Sequence, residues 1–298
     1  MSKRTVFFIT DCTDDAARVD VESATRLAFD AKQIELGAFA FQGTGKFNTV
    51  ELSYAAAHRT FINDALRQQL NITDNNDVLI LNAAPPKSQH GTDANSNNER
   101  HNFVYGRLSN GALFAGTING LSLLKPLVTE LYEFPASNNG SQFRSRDVLP
   151  RIAAGWVAHG KDYVEITQSP SLEIDEIPAF PSEISRVVHI DAPFNNVKIL
   201  FSKADQDLLS GLSKVKGTVK VLFENSQTAI EATVAERLFD ADEGQKVVIL
   251  GSSSSIYACT DLVKQETMGQ LVTLQRRTDA QLDYVLPVIG QSVRFTAA

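Results

Sequence analysis

The chain has 298 residues, enough for two ordinary domains, and its 43% hydrophobic and 21% charged content is that of a water-soluble globular protein. A net charge of −7 with no basic stripe argues against a nucleic-acid partner, and no apolar run approaches the length of a membrane span or a signal core. Cys12 and Cys259 lie far apart and fit no metal spacing, so a cytoplasmic protein without a disulfide framework or a metal is expected.

TVFFIT, Thr5 to Thr10, is a β-branched and aromatic run that reads as a buried strand. Asp14 and Asp15 open a helical stretch with apolar residues at Val19, Ala24, Leu27 and Ala28. ELGAFAFQ reads as a second strand, Val50 to about Leu70 as a long helix, and VLILNA, Val78 to Ala83, as a third strand. Strands apolar on both faces that alternate with helices predict an open, mostly parallel α/β sheet. Pro85 to Asn102 is a polar loop. Phe103 to Leu108 and Ala112 to Ala115 flank a Ser-Asn-Gly turn, as in a hairpin, and TELYEF follows as a strand. The first domain is expected to span 1–165.

ITQSPSLEIDEIPAFPSE carries Pro170, Pro178 and Pro181 and few helical signals, so it is the linker candidate. The strands ISRVVHID, VKILFS, GTVKVLFE, IEATVAERLF, KVVILGS, SIYACTDLV and QLVTLQRR follow, with a helix only at Ala204 to Leu212. Such a run predicts a small all-β barrel or sandwich over 180–298.

Several polar groups sit where chemistry is possible. Asp11 ends the first strand, where open α/β sheets bind ligands. Its carboxylate suits the two hydroxyls of a ribose, or it caps the next helix. In HIDAPFNN, Asp191 can hold an ammonium and Asn195 or Asn196 can read an adenine edge, or the segment is a plain turn. GSSSS, Gly251 to Ser255, offers hydroxyls and N–H groups to an anion. NNGSQFRSRDVLPRIAAGW, Asn138 to Trp156, brings Phe143, Ser145, Arg146 and Asp147 to a helix start. That is a place for a polar ligand, or Asp147 caps the helix and Arg146 pairs on the surface. No Walker loop, G-x-S-x-G or H-E-x-x-H set is present, and His58, His90, His101, His159 and His189 show no ligand spacing.

Taken in order, these fragments resemble the S-adenosylmethionine hydrolase and halogenase family, which includes the fluorinase and the chlorinase. The resemblance is carried by Ile9-Thr10-Asp11, by Phe114-Ala115-Gly116-Thr117-Ile118-Asn119-Gly120-Leu121, by Gln142-Phe143-Arg144-Ser145-Arg146-Asp147-Val148, by His189 through Asn196 and by Gly251-Ser252-Ser253. It implies an α/β domain followed by a β-barrel, in a homotrimer whose sites form where one subunit's first domain meets a neighbour's barrel. It implies S-adenosylmethionine or adenosine as ligand and no cofactor. Asp11 would hold the ribose, Asp191 the methionine ammonium, Asn195 or Asn196 the adenine edge, and Ser252 or Ser253 the methionine carboxylate, with Phe194 among the substrate-binding residues. Phe143 and Ser145 would shape the nucleophile pocket.

The family's departure points are equally specific. Its V-V-D-P-G-V-G segment corresponds to Ile80 through Pro86, with Asn82 where hydrolases carry Asp and halogenases Tyr. Arg144 stands at the hydrolase histidine, Arg100 is the stand-in for the hydrolase arginine, and Ile118 replaces the Asp of P-D-N-G. Ser145 matches the fluoride-using branch. The resemblance implies attack of water at C5′ to give adenosine and methionine, with Asn82, Ser145 and Arg144 as the catalytic set. Its alternative is a catalytically weakened adenosine-binding protein of the same fold.

Overall fold

The computed structural model describes residues 3–45, 48–83, 103–135, 144–181, 183–191, 196–235, 245–250, 268–273 and 286–298. The chain divides into two compact units, Met1–Phe180 and Pro181–Ala298.

In the first unit the strands are β1 (Arg4–Thr10), β2 (Leu36–Gly43), β3 (Asp77–Asn82), β4 (Phe103–Leu108), β5 (Leu113–Gly116) and β6 (Val128–Phe134). They form one sheet in the order β2-β1-β3-β5-β4-β6. β2, β1, β3 and β5 run parallel, and β4 is antiparallel to both of its neighbours. β1 and β3 are central, and Val6, Phe8, Ile9 and Val78 through Leu81 are buried on both faces. The pleat sends Val6, Phe8, Val78 and Ile80 into a core shared with α1 (Asp15–Asp30) and α4 (Leu149–His159). The opposite face takes α2 (Thr49–Leu70), whose Leu52 packs with Leu81 around Gly120. Gly116 closes β5 so tightly against β3 that a Cβ there would lie 2.2 Å from the Leu81 carbonyl oxygen.

Asp14 is the N-cap of α1, accepting from the Ala17 N–H at 2.8 Å. Asp14→Ala is therefore expected to cost about 1 kcal/mol in urea denaturation, while Asp11→Ala leaves the midpoint nearly unchanged.

The expected linker is instead part of the first unit. After α5 (Asp162–Thr167), the Glu133 N–H donates to the Pro170 carbonyl and the Leu172 N–H to Leu131. Ser171 bridges Tyr132, so this segment covers the exposed edge of β6, and Ile177 and Phe180 are buried beyond it. Prolines that end helices also suit an edge-covering extended segment, which is why composition alone suggests a linker.

The second unit holds β7 (Arg186–Asp191), β8 (Asn196–Leu200), α6 (Lys203–Ser213), β9 (Thr218–Phe223), β10 (Ile230–Ala235), β11 (Lys246–Ile249), β12 (Met268–Thr273) and β13 (Val293–Ala297). Its sheet has the order β13-β9-β10-β11-β12-β8-β7. Val187, Val197, Ile199, Phe201, Val219, Val221, Val234 and Phe295 pack with Leu209 of α6 in its core. The sequence reading missed β13 and α5. SIYACTDLV, and the polar loop with His90 and His101, lie outside the described residues. An antiparallel bridge, Arg186 to Ser292, and the bonds Val187 N–H to Gln291 O and Val293 N–H to Ser185 O join the two edges of this sheet.

Candidate functional site

Parallel strands deliver their carboxyl ends to one edge of the sheet, and four of them end on polar residues. β1 ends in Thr10 and leads to Asp11, β3 ends in Asn82, β2 leads to Thr44 and β5 to Thr117. The register of β1 with β3 sets Thr10 beside Asn82. The Asp11 N–H donates to the Asn82 carbonyl at 3.1 Å, which fixes Asp11 just past the last ladder pair. Asn82 Nδ2 donates to Thr10 Oγ1 at 3.1 Å and to Asp11 Oδ1 at 3.5 Å. Thr10 Oγ1, fully buried, also accepts from the Cys12 N–H at 3.1 Å. The Asn82 side-chain nitrogen is thus committed, and its side-chain oxygen Oδ1 carries no hydrogen bond from the described residues.

Two hydroxyls at the same edge are unpaired among the described residues. Thr44 Oγ1, in a residue 4% exposed, and Thr117 Oγ1 are buried without a hydrogen-bond partner among the described residues. A buried hydroxyl without a partner is costly, so these two oxygens are available to a polar group brought to this edge. Below Thr44, the Gly45 N–H donates to Glu51 and Asn48 caps α2.

The turn after Asp11 leads into a cleft of about 150 Å³ lined by Cys12, Asp14, Ala17, Asp20, Ser145 and Arg146. Ser145 belongs to α3 (Arg144–Asp147), a single turn held to α1 by Arg146. Arg146 Nε is 2.7 Å from Asp147 Oδ1, and its Nη1 is 3.2 Å from Asp20 Oδ2. Asp147 therefore does not cap α4; Val148 holds the N-cap position with no side-chain bond. The surface-pairing reading of Arg146 holds, and the capping reading of Asp147 fails. Burial, reinforced by the Asp11 and Asp14 charges, raises the Cys12 thiol above its ordinary value. Burial beside two carboxylates is the opposite of the electropositive setting that activates a thiolate. A second groove, of about 760 Å³, runs between α1 and α4 past Leu27, Ala28, Pro150 and Tyr163 and contains none of the strand-end residues.

In the second unit, Asp191 ends β7 and pairs in register with Asn196 at the start of β8. Its Oδ1 lies 3.2 Å from His189 Nε2 and its Oδ2 lies 3.3 Å from Lys198 Nζ. The His189 hydrogen bond, and behind it the Lys198 charge, hold the Asp191 carboxyl below its ordinary value.

Of the residues singled out from sequence, Asp11 and Asn82 meet directly, and Ser145 enters the cleft that begins at Cys12. Phe143, Phe194, Asn195, Ser252 and Ser253 lie outside the described residues, and of Arg144 only the backbone is described. Asp11 is relieved of the capping role by Asp14. The sequence reading passed over Thr10, Thr44, Thr117, His189 and Lys198 as members of a site. For Lys198 a signal existed: two short strands joined at Ala192 to Asn195 set 189 against 198 and 191 against 196.

Neither a family model nor a curated protein matches the chain. Solved structures do. An uncharacterized conserved protein from Thermotoga maritima is similar with a TM-score of 0.59 at 16% identity, covering 98% of this chain and 100% of that one. A conserved hypothetical protein from Thermus thermophilus has a TM-score of 0.57 at 16% identity, with the same shares covered. At that identity the likeness shows the fold, and the fold it shows is an α/β unit followed by a β unit.

Proposed function

We propose that this chain seats an adenosyl group at the carboxyl edge of its first sheet and cleaves S-adenosylmethionine with water at C5′, giving adenosine and methionine. The observation that carries the reading is Asp11: it sits at the end of a central parallel strand, its carboxylate is oriented by Asn82, and the adjacent helix takes its cap from Asp14 instead. A carboxylate so placed suits the two hydroxyls of a ribose. The hydroxyls of Thr44 and Thr117, without partners among the described residues, add donors and acceptors along the same edge.

The chemistry asks little of the protein. A sulfonium leaves without an acid, so in-line attack needs alignment and exclusion of bulk water more than covalent help. Asn82, Ser145 and Arg144 are the residues proposed to surround the attacking water. The edge-to-edge bonds between β7 and the start of β13 support closure of the second sheet into a barrel. On this reading the barrel of a neighbouring subunit in a homotrimer completes the site through Asp191, Asn196 and the serines after β11.

Asn82 favours a second reading, a nucleoside-binding protein with little turnover. Its amide nitrogen is spent on Thr10 and Asp11, and its carbonyl oxygen can orient water without taking its proton. Incubation of the full chain with S-adenosylmethionine, with and without chloride, followed by mass spectrometry, separates the two. Adenosine release establishes the hydrolase; a 5′-chlorinated nucleoside would establish halide as nucleophile. Tight adenosine binding without product supports the second reading, and neither product nor binding refutes both. In calorimetry, Asp11→Ala is expected to weaken adenosine binding by roughly 1.5–3 kcal/mol, the scale of hydrogen bonds to a charged group. Unchanged affinity would remove the ribose from Asp11.

A further inference from the structure

β1 has a neighbouring strand on each side, and two backbone bonds past its last ladder pairs decide what flanks Asp11. On one side the Asp11 N–H donates to the Asn82 carbonyl; on the other the Thr44 N–H donates to the Thr10 carbonyl at 2.8 Å. The pairing of Thr10 with Gly43 thus continues one step past β2, which sets Thr44 one strand spacing, about 4.8 Å, from Asp11. Thr44 is 4% exposed, and its Oγ1 has no hydrogen-bond partner among the described residues.

The backbone around Thr44 is pinned. Its own N–H is bound to β1, the next N–H, of Gly45, donates to Glu51 Oε2, and Asn48 caps α2 through the Glu51 N–H at 3.0 Å. These anchors hold the hydroxyl beside the strand end instead of letting the chain turn it toward water. The helix starts at this edge also disfavour an anion. Asp14 takes the Ala17 N–H at the head of α1, with Asp15 in its first turn, and Asn48 and Glu51 fill the same places on α2. They occupy N–H donors and bring negative charge to where a phosphate would dock. A neutral hydroxyl fits instead. It has one proton and two lone pairs, so a sugar hydroxyl can donate to the Asp11 carboxylate and accept the Thr44 proton.

We propose that Thr44 is a ligand-binding residue that reads, together with Asp11, one hydroxyl of the sugar diol, so that the chain selects a ribonucleoside over the deoxynucleoside lacking that hydroxyl. The inference rests on the adenosyl-binding reading above and adds to it a residue and a selectivity; it uses groups of the first unit alone. A buried group built to hydrogen-bond a ligand hydroxyl rejects the analogue without it, because the group is then left unpaired in the complex. In the ligand-free chain the same unpaired hydroxyl lowers stability, and seating the sugar removes that cost.

The test is calorimetry on the full chain with adenosine, 2′-deoxyadenosine and 3′-deoxyadenosine, comparing wild type, Thr44→Val and Thr44→Ser, with urea denaturation of each ligand-free protein. Thr44→Val keeps the side chain's shape and removes the hydroxyl. It is expected to bind adenosine about tenfold more weakly, and one of the two deoxynucleosides within about twofold of wild type. Thr44→Ser, which restores the hydroxyl, is expected to hold adenosine within about threefold of wild type. Ligand-free Thr44→Val is expected to unfold at higher urea, because an unpaired buried hydroxyl is gone. Unchanged adenosine affinity in Thr44→Val overturns the inference and leaves the hydroxyl to water. An equal loss for adenosine and both deoxynucleosides overturns it too, as does a lower urea midpoint, which would mean the hydroxyl already has a partner. Each of these leaves the adenosyl reading standing if Asp11→Ala weakens adenosine binding, whereas a wild-type chain that binds none of the three nucleosides removes both.

Discussion

Replacing Asn82 with Asp is expected to raise the rate of adenosine release from S-adenosylmethionine by roughly 10²-fold or more, the contribution typical of a positioned general base. In the wild type, Asn82 donates to Thr10 Oγ1 and to the Asp11 carboxylate and offers water only a neutral carbonyl. The aspartate keeps the position at the end of β3 and exchanges a donor for an acceptor with basic character. It also lies against Asp11, with which the amide nitrogen of Asn82 now makes a 3.5 Å contact. Like charges at that separation raise the pKa of one carboxyl, which strengthens it as a base. The sign of the pH dependence follows: the variant's rate rises with pH through that raised pKa, because the base must be deprotonated to act. The same substitution is expected to weaken adenosine binding, since Asp11 loses the donor that orients it. Liquid chromatography of adenosine formed at saturating substrate measures the rate. A rate equal to wild type would place the attacking water elsewhere and strengthen the binding-protein reading.

Trp156→Ala is expected to cost about 3–5 kcal/mol of stability, the range for truncating a large core aromatic. Trp156 is 1% exposed and packs edge-on to Tyr105 at 5.2 Å and beside Tyr132 at 5.7 Å. Its Nε1 donates to the Gly106 carbonyl at 2.8 Å, and the Arg107 guanidinium lies 5.9 Å from its ring centre. The alanine variant leaves a cavity between α4 and the sheet and removes the indole donor from the Gly106 carbonyl. Gly106 cannot rebuild the packing from its side, because a Cβ there would lie 1.8 Å from the Glu130 carbonyl oxygen. Urea denaturation followed by circular dichroism measures the loss. Because Trp156 is the chain's one tryptophan, its fluorescence in the wild type reports the first unit by itself. A loss under about 1 kcal/mol would mean that the site collapses without a cavity.

Most of the elements were legible because their signal is local. β1 and β3 are buried on both faces and read as unbroken apolar runs. The hairpin of β4 and β5 is announced by Ser109-Asn110-Gly111, with Gly111 at positive φ. The first unit's true end was less legible, because Ile177 and Phe180 are only two apolar anchors in a proline-containing stretch. β13 escaped notice because VRFTA is short and its pairing with β9 joins residues about seventy positions apart.

The amino-acid order by itself determined an α/β unit followed by a β unit, the helices and most strands of each, and the position of Asp11 at a strand end. These follow from side-chain periodicity within a few turns or pleats. Only the tertiary structure decided what surrounds Asp11. The strand order brings Asn82 to it across 71 positions, Asp14 takes the cap, and the β7–β8 register sets Lys198 against Asp191. Hydrogen bonds and charges act through space over a few ångströms, and sequence separation does not encode that distance.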